Sequence, residues 1–358
     1  MSRILCFIEN LGSGGAERQL TGLAVMLKQQ GHQVKVCYYV KKEFYLPYLQ
    51  ENGVKGYCLE EASNPKKRFF ALREHIKTVK PDTVISYSAS PSMIACLLKL
   101  SGSKFNLIVS ERNTTQRIDK SVKLRFFLYR WADHIVPNSQ SQADFIHKHF
   151  PNLSSKVKVV TNFVDTDKFS PSDVTQSNHE ETRMVCVGRL MPQKNIPRFI
   201  EAISKVVNDG YKIYVDWFGK DLNDAYSKEC YSAISNCHME DVFVFHVPSS
   251  SIQDEYRFAD VFCLPSLYEG FPNVLCEAMS CGKPVLCSRV CDNPSIVDEG
   301  ENGLLFDPLS VDSMVSTIEC FCGFSMEKKK AMGKKSREIA VGLFSVDTFI
   351  SRYCKIIE

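Results

Sequence analysis

The chain has 358 residues, room for two domains at roughly 150 residues each, and with 44% hydrophobic and 24% charged residues and no low-complexity tract it is not a disordered chain. Its formal charge of +3 conceals a division: residues 1–170 carry 25 Lys+Arg against 14 Asp+Glu, a net of +11, and residues 171–358 carry 19 against 27, a net of −8. A basic half joined to an acidic half points to an anionic partner, such as a membrane surface, a nucleic acid or a phosphorylated substrate.

In chain order, residues 4–8 form a short apolar run closed by Asn10-Leu11-Gly12-Ser13-Gly14-Gly15, and residues 16–30 then show helical periodicity through Leu20, Leu23, Ala24 and Leu27. Strand, glycine turn and helix are followed by strands at 34–40, 83–86 and 106–109 and helices at 68–79 and 92–100. The polar run 170–182 reads as a linker. Beyond it the alternation restarts, with strands at 184–187, 213–218, 242–245, 261–264 and 284–286 and helices at 196–209, 273–279, 311–322 and 328–341. Ser345 opens a last amphipathic helix carrying Phe349, Ile350, Tyr353 and Ile356. Alternating strands and helices imply parallel sheets covered on both faces, so the expected fold is two doubly wound α/β domains over 1–168 and 183–342, a linker at 169–182 and a terminal helix at 343–358. Ligands of such sheets bind beyond the carboxyl ends of the strands, which for paired domains means the cleft between them.

The 15 cysteines are odd in number, sit within apolar runs and form no CxxC pair, so they are expected to be reduced, buried thiols of a cytoplasmic protein rather than disulfides or zinc ligands. Residues 4–8 are too short for a signal peptide, and no stretch approaches the ~20 apolar residues of a membrane span. Any membrane contact is therefore expected to be peripheral. Residues 120–131 mix Lys120, Lys123, Arg125 and Arg130 with bulky apolar residues, and Lys66-Lys67-Arg68-Phe69-Phe70 adds a second basic cluster. The first stretch reads either as a helix for an anionic bilayer or as a core-facing helix with a solvated basic side.

Three motifs carry chemistry. Gly14-Gly15 lies between a strand and a helix, where bare backbone and unpaired N–H groups can meet an anion, although Glu17 occupies the place where a dinucleotide fingerprint needs its third glycine. Gly188-Arg189, with Lys194-Asn195, places two cations after the first strand of the second domain, one able to fork phosphate oxygens and one a compact point charge. Pro265-Ser266 leads into Glu269-Gly270-Phe271-Pro272-Asn273-Val274 and Glu277-Ala278-Met279, where a strand ends, a glycine loop follows and a helix begins. Eight residues apart, with ~12 Å between them even on one continuous helix, Glu269 and Glu277 are too distant for a glycosidase pair. Separate roles as acceptors for hydroxyls fit better, with backbone N–H groups of residues 270–274 facing phosphate. Asp165-Thr166-Asp167 mimics a metal motif but reads as a surface turn.

Taken in this order, Gly14-Gly15-Ala16-Glu17-Arg18, Val187-Gly188-Arg189-Leu190 with Lys194-Asn195, and Pro265-Ser266 with Glu269-Gly270-Phe271-Pro272 and Glu277-Ala278-Met279 resemble the family-four group of retaining glycosyltransferases. The resemblance covers essentially the whole chain and implies the GT-B fold, two Rossmann-like domains facing a cleft. It implies a nucleotide sugar, with UDP the favoured nucleotide, as donor. Glu277 would hold its ribose; Arg189, Lys194, Gly14 and Gly15 its diphosphate; Glu269, Gly270 and Phe271 its sugar; and His246 and Val247 would lie by its base. Arg189, Lys194 and Glu269 would be the catalytic groups, with no metal or other cofactor. A polyprenyl-diphosphate-linked saccharide of surface polysaccharide assembly is the expected acceptor, received beside an anionic membrane by the basic domain. Many relatives carry a histidine after the strand at 106–109, where this chain reads Ser110-Glu111-Arg112-Asn113. Glu17, Arg18, Glu111, Arg112 and Asn113 are the acceptor-side candidates. Two rival readings stay open: a soluble acceptor or nucleotide-sugar epimerase chemistry on the same fold, and a non-catalytic nucleotide- or nucleic-acid-binding protein. No aromatic-basic RNA motif accompanies the charge, so a nucleic-acid partner is not expected.

Overall fold

The computed structural model describes residues 1–59, 64–172 and 181–358. They divide into two compact units, residues 1–163 with 347–358, and residues 164–346. Most of the expected linker, residues 173–180, lies outside the described residues.

The first unit runs β1 (Arg3–Phe7), α1 (Gly15–Gln29), β2 (Gln33–Tyr38), α2 (Leu46–Glu51), β3 (Lys55–Cys58), α3 (Pro65–Val79), β4 (Thr83–Tyr87), α4 (Ala89–Leu100), β5 (Asn106–Glu111), α5 (Lys120–Leu128), β6 (His134–Pro137) and α6 (Gln140–His149). Its six strands are parallel in the order β3-β2-β1-β4-β5-β6. β1 and β4 are buried along nearly their whole length because helices cover the sheet, which is why β1 reads as an apolar run after Arg3, while β4 keeps Thr83 and Ser86 buried within it. Helix starts follow local chemistry: the side chains of Asn64, Asp119 and Ser139 accept the backbone N–H groups of Lys67, Val122 and Gln142.

The second unit runs β7 (Thr182–Val187), α7 (Ile196–Asn208), β8 (Ile213–Phe218), α8 (Ala225–Asn236), β9 (Phe243–His246), α9 (Ile252–Phe258), β10 (Val261–Leu264), α10 (Asn273–Ser280), β11 (Val285–Ser288), α11 (Asn293–Ile296), β12 (Gly303–Phe306), α12 (Val311–Cys322) and α13 (Met326–Phe344). Its strands are also parallel, in the order β12-β11-β10-β7-β8-β9. One core joins Trp217 and Phe243 to Phe199, Ile203, Ile318 and Phe321. The other joins Phe262 and Leu264 to Tyr256, Leu275, Met279 and Phe344.

Ser345 alone separates α13 from the last helix, α14 (Val346–Ile357), which packs in the first unit. There Phe349 meets the Phe163 ring at 5.0 Å and Arg352 Nη1 donates to Thr161 Oγ1 at 3.2 Å. Phe163 is fixed further by fully buried Gln19, which exchanges two 2.9 Å hydrogen bonds with its backbone. Gly22 makes the room: a Cβ there would lie 2.4 Å from the Phe163 ring. None of the fifteen cysteines is in a disulfide. Among the described residues no helix is long and apolar enough to cross a membrane.

Candidate functional site

In the second unit the loops leaving β7 and β10 are tied together. Gly188 follows β7, and its lack of a side chain lets the Lys194 stem lie against it, since a Cβ would come within 2.8 Å of Lys194 Cε. A single 3₁₀ turn, Pro192–Lys194, ends at Asn195, whose left-handed φ of 57° redirects the chain into α7. Asn195 offsets that strain by donating to the carbonyls of Pro265 and Pro308 at 3.3 and 2.8 Å and by accepting from Arg198 at 2.7 Å.

Lys194 is buried, not a solvated loop cation. Its Nζ donates to Glu269 Oε1 at 2.7 Å, and Gln193 Nε2 approaches Glu269 Oε2 at 3.4 Å and the Tyr268 carbonyl at 2.7 Å. The Leu267 N–H donates to the Gln193 carbonyl at 2.8 Å, completing the link between the two loops. Cys291 Sγ accepts the Glu269 N–H at 3.4 Å. Arg189 is exposed and has no side-chain partner among the described residues, so its guanidinium is available to a ligand.

After Gly270, buried Phe271 sets its ring edge-on to Phe344 at 5.6 Å and anchors the loop before α10 opens at Asn273. Asn273 and Val274, half-buried, stand in the first turn of that helix, where the Asn273 N–H donates to the Phe271 carbonyl at 2.9 Å and the Leu275 N–H to that of Pro272 at 3.0 Å. Glu277, one turn on, is buried and accepts from Tyr256 Oη at 3.4 Å.

His246 ends β9, stacked on Phe218 at 4.6 Å, with Nε2 2.6 Å from Asp216 Oδ1. Val247 beside it is 80% exposed. Asp216 belongs to none of the motifs, although a carboxylate within the strand Ile-Tyr-Val-Asp-Trp-Phe is itself a signal. With Arg183, Glu255 and Phe258 it lines a cavity of about 130 Å³. Burial, together with the Asp216 charge, raises the Glu255 pKa above the ordinary carboxylate range.

In the first unit Gly14 and Gly15 are exposed at the start of α1. The Glu17 carboxylate folds back over Gly14, where a Cβ would come within 2.2 Å of it, and Arg18 stands half-buried in the same turn. Glu111 and Arg112 part company at the end of β5. Glu111 is buried, takes the Tyr129 hydroxyl on Oε1 and faces Arg125 Nη2 and Gln142 Nε2 on Oε2, both at 3.4 Å. Burial raises its pKa, with Arg125 opposing. Arg112 turns instead onto Tyr87, and Asn113 is exposed. Asp165 of the Asp-x-Asp stretch accepts the Lys168 N–H at 3.0 Å within a turn.

These two doubly wound units have the architecture of the GT-B fold. Residues 13–168 match the family model Glycosyltransferase Family 4 and residues 167–339 match Glycosyl transferases group 1, and the chain belongs to this group of GT-B glycosyltransferases. Among curated relatives it is 27% identical to the amylovoran biosynthesis glycosyltransferase AmsD of Erwinia amylovora, over 84% of this chain and 85% of the relative. It is 24% identical, over 89% and 90%, to the Campylobacter jejuni N-acetylgalactosamine-N,N'-diacetylbacillosaminyl-diphospho-undecaprenol 4-alpha-N-acetylgalactosaminyltransferase. Among solved structures, Anabaena HepE in complex with UDP matches with a TM-score of 0.86 at 18% identity, over 99% of this chain and 98% of that one.

Proposed function

We propose that the chain moves a hexosyl or N-acetylhexosaminyl group from a UDP-linked donor onto a polyprenyl-diphosphate-linked saccharide, with retention and hence as an α-linkage. The observation that carries this reading is the buried Lys194–Glu269 pair beside the unpartnered Arg189 and the opening of α10. It gathers two cations, a hydroxyl-accepting carboxylate and the N-terminal turn of α10 within two linked loops. The diphosphate lies against Arg189, Lys194 and the N-terminal turn of α10 at Asn273 and Val274. Glu269, with Gly270 and Phe271, accepts hydroxyls of the transferred sugar, Glu277 those of the ribose, and His246 and Val247 border the base.

In the reaction the bond from the anomeric carbon to the phosphate oxygen breaks while the acceptor oxygen bonds to the same face. The acceptor's proton passes to the departing phosphate, and UDP leaves. Negative charge grows on that phosphate, where fixed cations lower the barrier. Two cations at the leaving group supply what a divalent ion would supply, so activity is expected to survive EDTA.

The names of relatives support the acceptor: two Campylobacter jejuni transferases and one from Escherichia coli are named for diphospho-undecaprenol-linked saccharides. HepE, solved also with UDP-glucose, supports the donor. Membrane docking would use the first unit, where Leu124 and Phe127 of α5 are 50% and 49% exposed among exposed Lys120, Lys123 and Arg130. The test is incubation with a panel of nucleotide sugars and a lipid-diphosphate saccharide, read as a mass gain of one sugar. Absence of product with every donor, alongside RNA binding at physiological salt, overturns the reading.

A further inference from the structure

The carboxyl edge of the first unit's sheet holds a cation that the donor loops do not involve. The order β3-β2-β1-β4-β5-β6 reverses direction between β1 and β4, and ligands of doubly wound sheets sit outside the strand ends at such a point. Tyr87 ends β4 there. Arg112, which follows the last residue of β5, lays its guanidinium 4.0 Å from the centre of the Tyr87 ring and donates from Nη2 to the Tyr87 hydroxyl at 2.6 Å. That hydroxyl pairs with the hydroxyl of Tyr353 on α14 at 2.8 Å. Two tyrosines from distant parts of the chain thus fix one guanidinium.

Its remaining donors are unmet. Arg112 is only 7% exposed, and Nε and Nη1 are buried without a hydrogen-bond partner. Among the described residues no carboxylate pairs with it, for the adjacent Glu111 is taken by Arg125, Tyr129 and Gln142. A buried guanidinium without a counter-charge is unfavourable to the folded state. Ser88, next along from Tyr87, holds a φ of 75° that is rare outside glycine, and the twelve-residue helix α4 opens directly after it with no acidic residue in its first turn. Strain of this kind gathers at ligand sites.

We propose that Arg112, fixed by Tyr87 and Tyr353, is an anion site that takes a phosphoryl group of a substrate. It rests on the reading above only in taking the anion from a substrate. The nucleotide's diphosphate and the acceptor lipid's diphosphate share this chemistry.

The two sources are separated by calorimetric titration of the whole protein with UDP and with a short-chain prenyl diphosphate, in wild type, R112M and Y353F. The expected result is that R112M weakens one of the two by about tenfold or more. Loss with UDP marks the nucleotide as the source, and loss with the prenyl diphosphate marks the lipid. Y353F weakens the same ligand by less, because Tyr87 still holds the guanidinium. R112M should also melt at or above the wild-type temperature, since it removes an uncompensated buried charge. Wild-type affinity of R112M for both ligands overturns the proposal. So does a lowered melting temperature, which marks the guanidinium as structural. Binding is read without turnover, so a protein that fails to transfer sugar can still show the Arg112 site, and one that transfers well can still lack it.

Discussion

Lys194 Nζ lies 2.7 Å from Glu269 Oε1, with the two side chains 11% and 9% exposed, across 75 residues of sequence. A pair this buried is costly to break from one side, because the remaining charge has lost both water and partner. K194M is expected to lose about 3 kcal/mol of stability, and E269Q is expected to be destabilised in the same sense. The double variant should recover part of either loss, which a urea-denaturation cycle measures directly. Transfer should fall at least ~100-fold in K194M, the scale of losing one preorganised charge at a leaving group, and should fall in E269Q through the lost acceptor for the sugar's hydroxyls. Additive stability losses would show that the two residues do not act as a unit.

Gly219 stands where the exit of β8 crosses that of β7. A Cβ there would lie 1.9 Å from the Gly188 carbonyl oxygen, which also accepts Trp217 Nε1 at 2.8 Å. Backbone cannot swing aside as a side-chain tip can. Gly219→Ala is therefore expected to lose about 2 kcal/mol and to weaken UDP binding, because the Arg189 loop must shift. Gly342→Ala, inside α13 with nothing within 4 Å, serves as the control and should be neutral or stabilising by about 0.5 kcal/mol.

The central strands were legible because burial on both faces leaves apolar runs, as in β1 after Arg3 and in β10. The edge strands β3 and β12 escaped, being four residues long and each containing a glycine that weakens the strand signal. α8 escaped as well: its buried face is Ser227, Cys230 and Ile234, too little apolar surface to show a helical period. The site divides the same way. Glycine turns and the cations after β7 are local patterns and could be read, whereas the Lys194–Glu269 bond, the Asp216–His246 pair and the Arg112–Tyr87–Tyr353 chain join distant residues that no spacing connects.

Lys283 donates to the Arg257 carbonyl at 2.7 Å, and burial lowers its pKa from 10.5 to about 8, with Asp260 opposing. Between those values the unfolded chain holds a proton that the folded chain does not, so this residue adds stability as pH rises through the window. Buried thiols act oppositely. Cys6 and Cys96 are pushed by burial from 9.0 to about 12, so their contribution is present below pH 9 and lost as the pH climbs toward 12. Wild-type stability should accordingly fall above pH 9, while the difference between wild type and K283M isolates the lysine. At pH 7 K283M should be more stable by ~1–2 kcal/mol, the relief of a buried charge less one carbonyl left without its donor. Its advantage should shrink between pH 8 and 10.5; a constant difference across that range would show that the lysine does not titrate there.

α5 presents apolar residues on two sides. Phe126 and Leu128 are buried in the first unit, while Leu124 and Phe127 face out among Lys120, Lys123 and Arg130, and Arg130 lies 4.7 Å from the centre of the Phe127 ring. A helix serving only the core has no use for the second pair, whereas a bilayer surface takes both its apolar and its cationic groups. Each cation near an anionic membrane contributes about 1 kcal/mol, screened by salt. K120E/K123E should therefore cut co-sedimentation with anionic liposomes at least ~10-fold and flatten its salt dependence. L124S/F127S should weaken binding to the same vesicles while leaving the salt dependence in place. Neither change touches the donor loops, so transfer to a water-soluble acceptor analogue should be unaltered. Liposome binding that ignores salt, anionic lipid and both double variants would remove the first unit's basic face from the membrane.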